Sequence, residues 1–311
     1  MDRTATQYLG LTLEWNYKQG YVDISMPDYV TKAMTRFQHS FPSKFQPSPF
    51  PWTTPHYGAK TQFTAEADQT TPLTAPEVKF LQQVIGVFLY YARAVDSTML
   101  VALGSLAAAQ TQATQHTLSL LHHFMDYALC NPSAKVRFHA SDMILHIHSD
   151  ASYLSESQAR SRAGGIFFLS SHPVPGQPPD STIPLNGAIH VTSTIMRNVL
   201  ASAAEAEVAA CFLNAQEACV TRATLEFLGH AQPPTPIQTD NQCAAGILNA
   251  TVKQKRSKAI DMRYYWLADR VEQKHFDVHW ALGWTNEGDY FTKHHPPSHH
   301  VAKRSTYLQP P

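Results

Sequence analysis

Four cysteines in 311 residues, none in a C-x-x-C pair, give this chain no zinc motif and no disulfide framework. Cys130, Cys211, Cys219 and Cys243 read instead as small buried residues of a reducing compartment. Net charge is lacking too: 24 basic and 24 acidic residues cancel. No overall field draws the protein to nucleic acid, so any such contact must come from a local patch. Long apolar runs are missing as well. The stretches "VIGVFLYYA" and "MLVALGSLAAA" fall well short of a membrane span, and the opening "MDRTATQYLG" lacks the apolar core of a secretory signal. The expectation is a soluble intracellular protein, cytoplasmic or nuclear, with no membrane partner. Charged residues are sparse at 15%, but a hydrophobic content of 43% suits a folded chain, long enough for two domains.

The chain divides by pattern. The N-terminal part reads strand, turn, strand, helix in "YLGLTLEW", "NYKQG", "YVDISM" and "PDYVTKAMTRFQH". A stretch rich in Pro, Thr, Ser and Gln then crosses to residue 73. Thr74 and Glu77 form a capping box before "LQQVIGVFLYYARAV", Asp96-Ser97 caps a second helix, and "ATQHTLSLLHHFMDYALC" supplies a third that Asn131-Pro132 stops. From about residue 136 the pattern changes. "VRFHASDMILHIHSD", "GGIFFLSS" and "GAIHVTSTIM" read as three successive strands, the first ending on Asp150. A long helix, the strand "TPIQTD", a short helix, a helix in "AIDMRYYWLADRVEQK", the strand "FDVHWALGW" and a closing helix in "TNEGDYFTKHH" follow. That order predicts an α/β domain with a mixed sheet flanked by helices. Among the 17 histidines, His294-His295 and His299-His300 fall in a Pro-rich tail and read as surface residues.

Acidic residues stand at the ends of separate elements in this second region. Asp150 closes a strand, Asp240 closes "TPIQTD", Glu205 and Glu207 lie in the first turns of a helix, and Asp289 opens the last helix. Taken singly, Asp240 is better explained as a helix cap and Asp289 as a partner of a helix dipole. Taken together, converging carboxylates repel unless cations sit among them, and hard divalent ions suit carboxylate oxygens. A pair of such ions is the usual apparatus of phosphodiester cleavage. Glu205 and Glu207, two apart, point about 200° apart on a helix. Ser202 with Glu205 makes a capping box in which Glu205 bonds the Ser202 N–H, which leaves Glu207 facing the other acids.

The motifs "HSDAS" with "SRAGGIFFLS", "SAAEAEVAA", "TDNQCA", "KAIDMRYYWLADRV" and "TNEGDYFTKHH", in this order, resemble the ribonuclease H at the end of Pol in copia-type retrotransposons. Upstream, "YLGLTLEWNYKQGYVDISMPDYVTKAMTRFQH" is similar to the end of a reverse transcriptase palm and the start of its thumb. "LQQVIGVFLYYARAVDSTMLVALGSLAAAQ" is similar to the connection region. The resemblance implies palm and thumb plus an irregular segment over 1–73, a helical connection over 74–135, a ribonuclease H-like domain of five mixed strands over 136–300, and a tail over 301–311.

It also implies cleavage of the RNA strand of RNA–DNA hybrids. Asp150, Glu207, Asp240 and Asp289 would be catalytic ligands of two magnesium ions, with manganese the alternative metal. The remaining partner would be the polymerase part of the same polyprotein. "VKQKRSKAIDMRYYW" offers Lys253, Lys255, Arg256, Lys258 and Arg263 as phosphate contacts or as a solvated face. Arg160 and Arg162 are further phosphate candidates, and Trp266 and Trp280 read as core. No Tyr-x-Asp-Asp motif occurs, so no polymerase activity is expected. Glu287-Gly288 stands where copia-type sequences carry an apolar residue and Ala, and a helical Gly would loosen the segment around Asp289. Two other readings stay open: an inert retroelement remnant that folds and holds nucleic acid, and an integrase-like nuclease. The latter needs a Glu about 35 residues after its second Asp, where this chain has His275.

Overall fold

The computed structural model describes residues 5–53, 68–171, 183–251 and 261–310. The chain forms two compact units, one of residues 1–139 with 294–311, the other of residues 140–293.

In the first unit, β1 (Gln7–Tyr8), β2 (Leu11–Asn16), β3 (Tyr21–Ser25) and β4 (Lys135–His139) make an antiparallel sheet in that order. Arg137 grips Asp23 across it through two bonds of 2.7 and 2.8 Å and lies 3.8 Å from the Tyr21 ring centroid. The helices are α1 (Tyr29–Arg36), α2 (Ala75–Ala94), α3 (Leu100–Ala109) and α4 (Gln115–Cys130). The expected capping box is in place: Thr74 N donates to Glu77 Oε2 at 2.7 Å. Asp96 caps the turn before α3 by accepting from Thr98 N at 3.2 Å. Val84, Phe88, Leu103, Leu121 and Phe124 fill the helical core.

The second unit holds the mixed α/β sheet that the sequence leads one to expect. Its strands are β5 (Ile144–Glu156), β6 (Arg160–Ser170), β7 (Ala188–Ile195), β8 (Thr235–Thr239) and β9 (Phe276–Trp280), with α5 (Ala203–Phe227), α6 (Gln242–Leu248) and α7 (Asp261–Glu272) as its helices. The strand order is β7-β6-β5-β8-β9. β5, β6 and β7 run antiparallel, and β8 and β9 run parallel to β5. Leu145, Ile147, Phe167, Ile237 and Val278 of the sheet pack with Val208, Cys211 and Ala215 of α5 and with Leu267 of α7.

Several boundaries differ from the sequence reading. "VRFHASDMILHIHSD" is two strands in two different units, not one. The break falls at Ser141, whose Oγ accepts from Met143 N at 3.2 Å, with Met143 left-handed at φ 59°. The second unit therefore starts at residue 140 rather than 136 and ends at 293 rather than 300. "TNEGDYFTKHH" forms one 3₁₀ turn, Asp289–Phe291, instead of a helix, and a second 3₁₀ turn, Gly283–Thr285, ends at its first residue. The expected tail instead carries an α-helix, α8 (Pro297–Tyr307), in the first unit. His300 on it is buried and bonds Tyr127 Oη at 2.8 Å. Cys211 is buried as expected, but Cys243 is exposed, and all four cysteines are unpaired. Among the described residues no helix is long and apolar enough to cross a membrane.

Candidate active site

Asp150 does not close its strand. β5 runs on to Glu156, and Asp150 pairs with Gly164 of β6. On the other side the parallel partner gives out: β8 pairs with Ile147 and His148 and ends at Thr239. A carboxylate in mid-strand is thus set beside the carboxyl end of a shorter neighbour, the place where open α/β sheets present functional groups. Asp240 is the next residue of the chain after β8. It does not cap α6, because Asn241 does, its side chain accepting from Ala244 N at 3.0 Å.

Helix α5 supplies the third acid. Its cap is Ser202, which accepts from Glu205 N at 3.1 Å. Glu205 folds back as expected but bonds Ala201 N at 2.7 Å, one residue before the N–H anticipated. The chain enters the helix extended at Ser202 (φ −155°). Glu207 is directed to the sheet: Oε1 accepts from Ala151 N at 3.2 Å and Oε2 from Thr239 Oγ1 at 3.3 Å.

Asp150, Glu207 and Asp240 bring oxygens within 4.8 Å of one another. Asp150 and Glu207 are only 4% and 6% exposed. Burial, then Asp289 and Asp240, push the Asp150 carboxyl up to about 7. Burial, then Asp150 and Asp240, hold Glu207 well above the usual carboxylate range. Asp240 is raised by burial and by Asp289. Such a cluster opposes its own ionisation and is a poor choice for stability alone. The donor set is all oxygen, two of its three members are buried, and it is short of positive charge, which fits a hard divalent cation.

Asp289 stands at the margin of this set. Its charge reaches Asp150 and Asp240, but its Oδ1 accepts from Lys293 Nζ at 2.6 Å. The turn that carries it is clamped to β5. Asn286 Nδ2 donates to Ser149 O at 2.8 Å, His148 Nδ1 accepts from Glu287 N at 3.2 Å, and Ser152 Oγ donates to Thr292 O at 2.8 Å. Gly288 is not the loosening element that its helix propensity suggested. A Cβ there would stand 3.0 Å from His148 O and 3.2 Å from Asp150 N, so the missing side chain lets the turn lie against the strand.

Other candidates divide. Lys253, Lys255, Arg256 and Lys258 lie outside the described residues, while Arg263 is half-buried on α7. Arg162 is fully buried and bonds Glu156 Oε1 at 2.7 Å, so it meets no phosphate. Arg160 bonds Gln158. Trp266 packs edge-on to Phe212 in the core as expected. Trp280 does not: it is exposed where the sheet ends. Lys293, Asn286 and His148 were missed in the sequence. Only Lys293, four residues after Asp289, left a signal that spacing could have revealed.

No family model matches the chain. Half of it, 156 residues, is 27% identical to the "Retrovirus-related Pol polyprotein from transposon TNT 1-94" of Nicotiana tabacum. The chain spans 11% of that relative's length. Among solved structures it is similar to LC11-RNase H1 in complex with RNA/DNA hybrid, at 10% identity over 48% of this chain and 93% of that one, with a TM-score of 0.35. It is also similar to the N-terminal RNase H domain of rv2228c from Mycobacterium tuberculosis, at 11% identity over 52% and 96%, with a TM-score of 0.31. At those scores the fold rests on the strand order and directions above. The resemblance of this chain to the C-terminal part of a retrotransposon Pol polyprotein accordingly stands on its own motifs and on the match to the tobacco relative.

Proposed function

We propose that the second unit is a ribonuclease H that cuts the RNA strand of RNA–DNA hybrids with magnesium, or manganese, held by Asp150, Glu207, Asp240 and Asp289. The observation that carries this reading is the meeting of three carboxylates within 4.8 Å, drawn from a strand, a helix and a strand end far apart in the sequence. When bound there, divalent ions would supply a polarised water for attack on the phosphate and positive charge for the departing 3′ oxygen. The protein's own part is positioning. Thr239 and the Ala151 N–H fix both oxygens of Glu207, Gly164 lets the turn of Asp289 close on β6, and Lys293 holds Asp289. The hybrid is recognised by shape and 2′-hydroxyls, with the Lys253, Lys255, Arg256, Lys258 and Arg263 segment as its phosphate contacts. By the same reading the first unit is the end of a reverse transcriptase palm and thumb with the connection region, and the polymerase part is its partner. The sequence contains no Tyr-x-Asp-Asp motif, so this chain does not extend primers.

The test is a gel assay on labelled hybrid with magnesium or with excess chelator, run on the chain and on two variants. Cleavage should require the metal. Glu207→Gln should lose it by orders of magnitude, and Glu205→Gln should keep it at a stability cost of about 1 kcal/mol, that of a cap. Equal cutting in chelator, or a dead Glu205→Gln beside an active Glu207→Gln, would overturn the assignment.

A further inference from the structure

The end of β9 and the segment after it place bare apolar surface beside the carboxylates. Trp280, Leu282 and Trp284 are 44%, 49% and 79% exposed. This segment is a wall of the site: a Cβ on Gly283 would stand 2.9 Å from Asp240 Oδ2, and Trp280 Nε1 donates to Asp240 O at 2.9 Å. It is also held in shape. Gln238 Nε2 donates to Thr285 Oγ1 at 3.0 Å, and Thr285 Oγ1 donates to Leu282 O at 2.7 Å.

Folding does not explain these side chains. The buried inward residues of β9 are Phe276 and Val278, and the sheet ends at the Thr239–Trp280 pair, so Leu282 and Trp284 lie beyond it. Nor can the segment recruit a phosphate, because from Val278 to Asn286 the chain has no Lys or Arg. Rigid aromatic surface next to metal-suited acids, with no cation of its own, is matched to the uncharged parts of a nucleotide, its sugar and base rings.

We propose that Trp284, with Trp280 and Leu282, is a nucleotide-contact surface that seats the sugar faces of the hybrid's minor groove next to the bond that is cut. This rests on the ribonuclease H reading and adds a non-ionic element to it. A contact of this kind releases no counterions, so it contributes affinity without contributing to salt dependence. That signature separates it from any phosphate contact.

The experiment measures hybrid affinity by fluorescence anisotropy in magnesium over a series of salt concentrations. The full-length chain carries Glu207→Gln so that the hybrid survives, with or without Trp284→Ala or Trp284→Tyr. Trp284→Ala should weaken binding about tenfold with the slope of log affinity against log salt unchanged, and Trp284→Tyr should restore most of the loss. With Glu207 intact, Trp284→Ala should raise KM and leave kcat. Circular dichroism controls for folding. Unchanged affinity with normal cutting overturns this surface alone and gives the patch to another partner. A slope reduced by one unit overturns it in favour of a phosphate contact, and a loss in kcat without KM makes Trp284 a support of Asp240. A chain that neither binds nor cuts hybrid overturns the surface together with the reading beneath it.

Discussion

At the scale of single residues, the carboxylate cluster makes stability depend on pH in a recognisable way. Asp150, raised from 3.8 to about 7, holds its proton in the folded chain where the unfolded chain has lost it. Stability from this group is therefore full below about pH 4 and drains away as pH rises through about 7. Glu207 acts in the same direction. His148 acts in the opposite one: burial, then His279 and His146, lower it from 6.5 to about 3, so its contribution is lost as pH falls through that window. In chelator, melting of the chain should weaken on the alkaline side. Asp150→Asn should raise the melting temperature at pH 8 and do little at pH 4, while it destroys cleavage. Magnesium should stabilise the unmodified chain more at pH 8 than at pH 5. If Asp150→Asn melts lower at both pH values, the carboxylates do not repel as their packing implies.

Among elements, the turn from Asn286 to Thr292 decides whether the fourth acid joins the other three. It lies on β6 at Gly164, where a Cβ would stand 2.6 Å from both Gly288 O and Thr292 Cγ2. Gly164→Ala should therefore lift the turn, cost about 1–3 kcal/mol as overpacking does, and raise the magnesium concentration needed for cleavage. Gly288→Ala, whose nearest contacts would be at 3.0 Å, should do the same more weakly. Unchanged magnesium dependence in Gly164→Ala would remove Asp289 from the ion site. This turn also shows where sequence reading stops. Asp150, Glu207 and Asp240 could be picked out because each lies next to a strong periodic pattern. "TNEGDYFTKHH" was read as helix because its composition allows one. The structure gives it one 3₁₀ turn and no more, because Asn286 Oδ1 accepts from Gly288 N at 3.0 Å and Pro296-Pro297 bring no N–H to continue a helix. Pro297 at the first position of α8 was a legible start signal, hidden by reading the histidines after it as a tail. Trp280 was misread for a different reason. Strand alternation points it inward, but the strand beside it stops at Thr239, opposite Trp280, and no core remains to receive the ring.

For the whole molecule, the return of α8 to the first unit separates stability from chemistry. Asp96 is completely buried, and Arg304 of α8 supplies its cation, Nη2 to Oδ2 at 2.7 Å. Thr98 Oγ1 donates to the other oxygen at 2.5 Å. Removing one member of a buried pair leaves an uncompensated charge and costs about 3–5 kcal/mol. Arg304→Met keeps most of the side-chain volume and removes that charge together with its hydrogen bonds. The two units have separate cores, and every carboxylate of the candidate site belongs to the second. Arg304→Met should therefore lower hydrogen-exchange protection across α2, α3 and α4, while amides of β5, β6 and α5 keep theirs. Cleavage at low temperature should persist, and a first melting transition should move down while the second stays. Equal loss of protection in both units would mean that the chain unfolds as one body and that the C-terminal helix stabilises the nuclease as much as the helical unit it joins.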